Sequence, residues 1–238
     1  MTRLSVNINK IATLRNARGG NNPDVVKFAL DCERFGADGI TVHPRPDERH
    51  IKSRDVYDLK SALLIELNIE GNPTKDFMDL VLDIIPSQVT LVPDSPSQIT
   101  SNSGWDTVKN RAFLSDVIME LHRKEIRVSV FVDPDKSMVE NALYCGADRV
   151  ELYTEPYARL YSEGPELAIK EYLEAAEVAK KIGLGLNAGH DLSLVNLKFF
   201  YQKIPWLEEV SIGQALICDA LYLGIKETIN KYKQCIIQ

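Results

Sequence analysis

The chain alternates between short β-forming segments and helical segments along its whole length, and this alternation constrains its fold more than any other feature. Such alternation implies a parallel sheet whose strands are joined by right-handed helical crossovers. Between the strand segments, apolar residues recur at helical spacing. The predicted strands are Leu4–Asn9, Gly39–His43, Leu64–Glu70, Gln88–Val92, Arg127–Val132, Arg149–Tyr153, Gly185–Asn187 and Glu209–Ile212.

Eight such units favour closure into a (β/α)8 barrel of the α/β class, a TIM barrel with extra helices, over an open sheet. The length of 238 residues is typical of one such barrel. No GxGxxG motif follows the first strand, which weakens a dinucleotide-binding interpretation. No linker or low-complexity segment divides the chain, so the sequence predicts a single domain over residues 1–238.

Helix boundaries carry recognisable start and stop signals. The sequences Asn-Pro-Asp24 and Asn-Pro-Thr74 are expected to open helices, and Gly36, Gly146 and Gly183 follow predicted helix ends. The predicted helices are Asp24–Phe35, Thr74–Ile84, Leu114–His122, Lys136–Tyr144, Pro165–Ile182 and Leu192–Tyr201.

Composition excludes several classes of protein. The net charge of −6 argues against a nucleic-acid-binding protein. Residues 1–54 nevertheless hold ten Lys and Arg against six Asp and Glu, a local surplus that suits small anionic ligands such as phosphates. No apolar run reaches the roughly 18 residues of a membrane span and no signal peptide opens the chain, so we expect a cytoplasmic protein. The cysteines lack metal-binding spacing and are expected to be reduced, buried residues: Cys32, Cys145, Cys218 and Cys235.

Polar residues gather where the predicted strands end, which is where barrels of this class carry their active sites. His43, His50 and His190 lie at this end together with Glu70. Three histidines converging with a strand-end carboxylate favour a functional cluster over a structural role. His122 closes a helix and is expected at the surface.

Glu70 follows an apolar strand, so burial at the barrel rim should raise its pKa and let it transfer protons near neutral pH. A competing interpretation makes Glu70 a salt-bridge partner of Arg18 or Arg45. Metal binding is a weaker option, because no pair of these residues has HxH or HExxH spacing.

Two glycine-containing strand-to-helix turns follow the seventh and eighth strands, at residues 187–190 and 211–214. In these barrels such turns commonly bind phosphate with helix N-termini. A second anion site near Arg45 and His50 would then point to two phosphorylated substrates. The long polar loop at residues 93–106 could close as a lid anchored by Trp105, or could be a flexible surface excursion.

At these residues the sequence resembles the pyridoxine 5′-phosphate synthase family. The resemblance is carried by VNINKIATLRNARG (6–19), DGITVHPR (38–45), RHI (49–51), NIE (68–70), VTLVP (89–93) and NAGH (187–190). These motifs run through nearly the whole chain, and the first two are specific to the family rather than to barrels in general.

The resemblance implies condensation of 1-deoxy-D-xylulose 5-phosphate with 3-amino-2-oxopropyl phosphate, giving pyridoxine 5′-phosphate, inorganic phosphate and water. It implies no metal or organic cofactor and a homo-octamer, whereas the charge and the lack of a long apolar run predict no nucleic-acid or membrane partner. His43 and Glu70 correspond to proton acceptors, His190 to the proton donor, and Glu151 to a group that supports the transition state.

The resemblance also assigns the substrate-binding residues. Those for the amino-ketone phosphate are Asn7, Arg18, Asp191, Gly213 and Gln214. Those for the deoxyxylulose phosphate are Asn9, Lys10, Arg45, His50 and Ser101.

Three positions depart from the commonest family pattern. Asn9-Lys10 stands in place of Asp-His, Ser211-Ile-Gly213-Gln214 in place of Asn-Ile-Gly-His, and Asp191 in place of a glycine. An added ammonium group makes the first site more positive, whereas Gln214 can donate a hydrogen bond but cannot titrate. We therefore expect the same reaction with modified binding contacts.

Two other classes of function stay open. The first is another barrel that acts on phosphosugars, an aldolase or an isomerase. A Schiff-base aldolase would need a lysine on a strand near the inner end of the barrel, and no predicted strand interior contains one. A non-catalytic barrel that binds phosphometabolites would have no need of His43, Glu70 and His190 together.

Overall fold

The computed structural model describes residues 1–94 and 103–237. Within them, eight parallel strands form a closed barrel in the order β1 to β8. The barrel closes through pairing of β1 with β8, from Arg3 opposite Glu209 to Val6 opposite Ile212. The predicted barrel is therefore confirmed. Its strands are β1 (Arg3–Asn7), β2 (Gly39–Val42), β3 (Glu66–Gly71), β4 (Gln88–Leu91), β5 (Arg127–Val132), β6 (Arg149–Leu152), β7 (Gly185–His190) and β8 (Glu209–Ile212).

Helices surround the barrel, and buried apolar residues join them to the outer faces of the strands. Within the described residues, no helix combines the length and the apolar character that a membrane crossing requires. The helices are α1 (Asn9–Asn16), α2 (Val25–Arg34), α3 (Ser53–Ala62), α4 (Lys75–Ile84), α5 (Arg111–His122), α6 (Lys136–Tyr144), α7 (Glu155–Leu160), α8 (Pro165–Ile182), α9 (Leu197–Lys203), α10 (Gln214–Leu223) and α11 (Ile225–Cys235).

The predicted helix signals are present as capping contacts. The side chain of Asp24 accepts a hydrogen bond from the backbone N–H of Lys27, and Thr74 accepts one from Phe77. Each bond satisfies a backbone donor that the first helical turn would otherwise leave unpaired. Gly183 caps α8 with φ +72°, in the left-handed region that favours glycine.

Some predicted boundaries are wrong. The first strand ends at Asn7 rather than Asn9, because the Asn7 carboxamide accepts a hydrogen bond from the backbone N–H of Asn9 at 3.1 Å and turns the chain into α1. The helix predicted from Leu192 begins only at Leu197, and the one predicted from Leu114 begins at Arg111.

The cysteine prediction is correct in part. Cys32 and Cys145 are buried, whereas Cys218 is exposed on α10 and Cys235 is half-buried at the end of α11. None of the four is in a disulfide. Cys218 was expected to be buried and is exposed because it lies on the outer face of α10, a surface helix.

The inside of the barrel is polar. Thr41 Oγ1 is 2.7 Å from Ser5 Oγ and accepts hydrogen bonds from Ser211 Oγ at 3.1 Å and Asn68 Nδ2 at 3.3 Å. Asn68 in turn accepts a bond from Thr90 at 3.0 Å. Hydrogen bonding among side chains inside the barrel thus offsets the cost of burying these groups.

The amino-terminal end of the barrel is closed by ion pairs. Glu66 contacts the guanidinium groups of both Arg3 and Arg127. Arg149 pairs with Glu208 at 2.5 Å. The opposite, carboxyl-terminal end of the barrel opens into a cavity.

Candidate active site

A cavity of about 500 Å³ opens at the carboxyl ends of the strands. The predicted site residues converge on it, with the exception of Arg18 and Ser101. Its lining comprises Asn7, Asn9, Lys10, Thr13, His43, Arg45, Arg49, His50, Glu70, Val92, Phe131, Glu151, His190, Asp191, Ser211, Gly213 and Gln214.

The two remaining predicted residues, Arg18 and Ser101, are absent from the cavity lining for different reasons. Arg18 is exposed beyond the end of α1 and does not line the cavity. Ser101 lies outside the described residues, as do residues 95–102 of the predicted lid. The anchor of that loop is described: Trp105 is 9% exposed, and its backbone N–H donates to the Phe131 carbonyl at 2.8 Å. The roles of Arg18 and Ser101 stay predictions.

The turn between β1 and α1 ties the first two strand ends together. The Asn9 side-chain oxygen accepts a hydrogen bond from the backbone N–H of His43 at 2.9 Å. Gly213, which precedes α10, packs so closely on this turn that an added Cβ would lie 3.2 Å from the Asn7 side chain. The first, second and eighth strand ends are thereby held in fixed relation.

Glu70 lies at the centre of the cavity. Its Oε2 accepts a hydrogen bond from Asn7 Nδ2 at 3.3 Å and is 3.8 Å from His43 Nδ1. Burial raises the pKa of Glu70 to about 7, with Asp94 adding to the rise while His190 and Arg45 oppose it. A carboxyl group with such a pKa can take up and release a proton near neutral pH.

The salt bridge considered for Glu70 is absent from the described residues. Arg45 instead pairs with Asp94 through a 2.6 Å contact, and both side chains are almost fully buried. Arg45 Nε is buried without a hydrogen-bond partner among the described residues. Arg45 therefore keeps a donor for a further acceptor while Asp94 balances its charge.

Both histidines after β2 favour the neutral form. Burial, and then the neighbouring Arg45, lower the pKa of His43 well below its ordinary value, so its ring is free to accept a proton. Burial and Arg45 likewise lower the pKa of His50 to about 4. His50 Nδ1 accepts a hydrogen bond from the Ile51 backbone at 2.9 Å, which leaves the ring proton on Nε2.

The pKa of His190 is shifted in the opposite direction from those of His43 and His50. Burial opposes the charged form, but the Asp191 carboxylate in contact with Nδ1 outweighs it, so the pKa of His190 is raised. The edge of its ring packs on Tyr153, with 5.7 Å between the centroids. His190 is therefore biased towards the protonated form beside a neutral His43.

Glu151 lies deeper, at the floor of the cavity. Burial raises the pKa of Glu151 well above its ordinary value, and the nearby Glu70 and Glu209 add to the rise. Its Oε2 has no hydrogen-bond partner among the described residues. A protonated Glu151 would be a hydrogen-bond donor to a group held in the cavity.

The cavity wall near α1 is cationic and more exposed. Lys10 is exposed on α1, and Arg49 forms a 2.8 Å ion pair with Asp47. Next to this wall, at the neighbouring end of β8, Gln214 begins α10 and its Nε2 donates to Cys218 Sγ at 3.2 Å.

The sequence interpretation missed the apolar part of the cavity. Val92 and Phe131 line it, and with Tyr153 they form a small apolar cluster separate from the main core. Val92 directly follows β4, Phe131 lies near the end of β5 and Tyr153 directly follows β6, whereas the sequence prediction was limited to polar residues at these strand ends. Their position at the strand ends was the sequence signal that could have placed them in the cavity.

His122 behaves as predicted. It ends α5, is partly exposed, and has its Nε2 2.9 Å from Asp148 Oδ2, away from the cavity.

Among the residues that the structure describes, no group of three or more His, Cys, Asp and Glu is arranged to hold a metal ion.

The sequence matches the family model for the pyridoxal phosphate biosynthesis protein PdxJ over residues 4–238. The chain belongs to this family.

Close relatives agree with the assignment. The chain is 66% identical to the pyridoxine 5′-phosphate synthase of Bacteroides thetaiotaomicron over 236 residues, covering 99% of this chain and 100% of the relative. It is 64% identical over 232 residues to the enzyme of that name from Cytophaga hutchinsonii, covering 98% of each. The similarity to these relatives therefore extends over nearly the whole chain.

More distant solved structures share the fold. The phosphoribosylanthranilate isomerase of Thermotoga maritima superposes with a TM-score of 0.61 at 14% identity, over 99% of this chain and 98% of that one. A 4-hydroxy-2-oxoglutarate aldolase superposes with a TM-score of 0.65 at 15% identity, over 98% and 94%. No strand of the described barrel contains the lysine that a Schiff-base aldolase would need there.

Proposed function

We propose that the chain is a pyridoxine 5′-phosphate synthase, which condenses 1-deoxy-D-xylulose 5-phosphate with 3-amino-2-oxopropyl phosphate and releases pyridoxine 5′-phosphate, phosphate and water. Family membership and the printed activity of relatives about 65% identical support this proposal. The observation that carries it is the position of Glu70, a buried carboxyl group with a pKa of about 7 within reach of His43.

The proposed reaction needs several proton transfers at neighbouring carbons, because imine formation, loss of water and ring closure each move protons. Neutral His43 and ionised Glu70 would accept protons, and His190 would donate one to a departing oxygen. The opposite pKa shifts of His43 and His190 support this division of roles.

Glu151 would stabilise negative charge that develops on the substrate in the transition state. Its place at the floor of the cavity and its raised pKa support this role, since a protonated carboxyl group can donate a hydrogen bond to an oxyanion.

The two phosphates would bind at two different places on the cavity rim, each next to the proton-transfer residues. Basic residues on the α1 side support a site for deoxyxylulose phosphate, formed by Asn9, Lys10, Arg45, His50 and Ser101. The turn before α10 supports a site for the amino-ketone phosphate. Its residues would be Asn7, Arg18, Gly213 and Gln214, and the turn at Asp191 would lie beside it.

We also propose that residues 1–238 act as one domain, that no metal or organic cofactor takes part, and that the protein forms a cytoplasmic homo-octamer. Large apolar side chains exposed on the chain support burial against further copies. They include Leu64, Leu167, Val195, Leu221 and Tyr222. Light scattering tests the assembly, and a monomeric mass would contradict it.

The reaction is tested by incubating the purified protein with both phosphorylated substrates and following pyridoxine 5′-phosphate and inorganic phosphate. We expect the two products in equal amounts, and neither when one substrate is omitted. Saturable binding of either substrate without any product would contradict the proposal and favour a barrel that only binds phosphometabolites.

A further inference from the structure

The proton donor proposed above occupies a very tight turn. The backbone N–H of Asp191 donates to the Gly189 carbonyl at 2.9 Å, so the chain reverses around His190 alone. His190 has φ +63°, in the left-handed region that few residues other than glycine adopt. A conformation of this kind persists only where the surroundings hold it.

Thr154 supplies that hold. It follows β6 and is fully buried, and its Oγ1 donates to the Gly189 carbonyl while accepting a hydrogen bond from the Asp191 backbone N–H at 3.2 Å. One hydroxyl group thus bridges the two ends of the turn around His190.

The turn brings the Asp191 carboxylate onto the ring of His190. Its Oδ2 contacts Nδ1. Since a carboxylate can only accept, Nδ1 carries a proton, and exchange with a substrate falls to Nε2. The edge contact with Tyr153 further limits rotation of the ring.

We propose that Asp191 is a positioning residue for proton donation, which together with Thr154 orients the His190 ring and keeps it protonated until a substrate oxygen departs. The Nε2–H bond breaks with its electron pair staying on the ring, and the proton joins the departing oxygen. The ring becomes neutral, keeps its Nδ1–H bond to Asp191, and regains a proton from water. This role rests on the proposed function and replaces direct substrate binding by the Asp191 side chain.

Charge supports orientation of the ring over binding of phosphate. An anionic carboxylate repels a phosphate dianion, whereas it attracts an imidazolium ion in direct contact. Among the described residues, the other titratable groups around His190 include Glu70 from β3, Asp94 after β4, Glu151 from β6 and Tyr153 directly after β6. Of the groups that raise the pKa of His190, Asp191 has the largest effect, so its removal should lower that pKa.

The ionisation of His190 can be measured without turnover. Diethyl pyrocarbonate acylates only neutral imidazole, so the rate of His190 modification against pH, read by peptide mass spectrometry, gives its titration midpoint. We expect the midpoint to move to lower pH in Asp191→Asn and to return towards the wild-type value in Asp191→Glu. Glu174→Gln, which removes an exposed carboxylate on α8, should leave it unchanged. An unchanged midpoint in Asp191→Asn would overturn the proposal.

Kinetics then separate positioning from binding. In Asp191→Asn we expect kcat at pH 8 to fall by about tenfold or more, with a smaller loss at pH 6, because the acid is deprotonated earlier as pH rises. A higher KM for the amino-ketone phosphate with an unchanged pH profile of kcat would overturn the proposal in favour of substrate binding. An equal loss at every pH would overturn it in favour of a merely structural role.

The proposed function can fail separately. If the wild-type protein forms no pyridoxine 5′-phosphate but the His190 midpoint still depends on Asp191, the reaction assignment is wrong while the coupling of the two side chains stands. If the wild-type protein forms pyridoxine 5′-phosphate but the His190 midpoint does not change in Asp191→Asn, the reaction assignment stands and the proposed role of Asp191 is wrong.

Discussion

Burial and neighbouring charges give the residues of one cavity different protonation preferences. Burial shifts the pKa of Glu70 to about 7 and makes it an exchangeable group. Burial with adjacent Arg45 keeps His43 neutral, whereas Asp191 favours the charged form of His190. Environments that push pKa values apart in this way are how a site assigns acid and base roles.

These shifts predict a bell-shaped dependence of kcat/KM on pH. Glu70 must be ionised to accept a proton, so activity should fall about tenfold per unit below about pH 7. His190 must be protonated, so activity should also fall once the pH exceeds its raised pKa. Initial rates at subsaturating substrate check this. An acid limb near pH 4.5, the ordinary value for Glu, would contradict it.

Replacing the second proton acceptor should impair the chemical step. We expect His43→Gln to lower kcat by about 10²- to 10⁴-fold, the usual contribution of a general base, with a smaller effect on KM. His122→Gln is the matched control, because His122 lies at the end of α5 away from the cavity. Equal activity of the two variants in steady-state assays would exclude a role for His43.

At the scale of elements, the sequence predicted those features that depend only on residues close together in the chain. The caps at Asp24 and Thr74 could be predicted because each satisfies backbone donors within its own first turn. Helix α3 was missed because its buried apolar stripe consists of little more than Val56 and Leu59. The pairing of Arg45 with Asp94 could not be predicted, since nothing local to either residue brings β2 and β4 loops together.

The Thr74 cap gives a stability prediction for α4, which follows the strand that carries Glu70. Thr74→Ala should lower the free energy of unfolding by about 1 kcal/mol, because the Phe77 backbone donor loses its partner. Thr74→Ser keeps a hydroxyl group and should stay within a few tenths of a kcal/mol of wild type. Urea unfolding compares the two variants, and equal losses would show that the cap contributes nothing.

At the scale of the molecule, the barrel is polar inside, closed by ion pairs at one end and open as a cavity at the other. The sequence predicted the barrel from eight alternating units, and it predicted the cavity because strand carboxyl ends meet on one face. It did not predict the hydrogen bonds around Thr41, since strand patterns distinguish faces without showing which side chains meet inside a barrel. Val92 and Phe131 were missed for another reason: they are apolar, and only polar residues at the strand ends were taken as candidates for the site.

The charge distribution predicts salt-sensitive binding. The chain has a net charge of −6, yet Lys10, Arg45 and Arg49 line the cavity, so KM for deoxyxylulose phosphate should rise with ionic strength. Lys10→Gln should raise that KM about tenfold, the cost of one charge-assisted hydrogen bond, and weaken its salt dependence. Lys27→Gln, an exposed residue of α2, is the control. An unchanged KM in Lys10→Gln would place the phosphate elsewhere.

The central claim is that Glu70 transfers protons in the condensation, and the most direct measurement is the steady-state kinetics of Glu70→Gln with both substrates. Glutamine keeps the size of the side chain and an oxygen for Asn7 Nδ2, but it cannot take up a proton. We expect kcat to fall by about 10²- to 10⁴-fold with the KM values nearly unchanged, while Glu174→Gln retains wild-type rates. A Glu70→Gln enzyme with near wild-type kcat would contradict the claim.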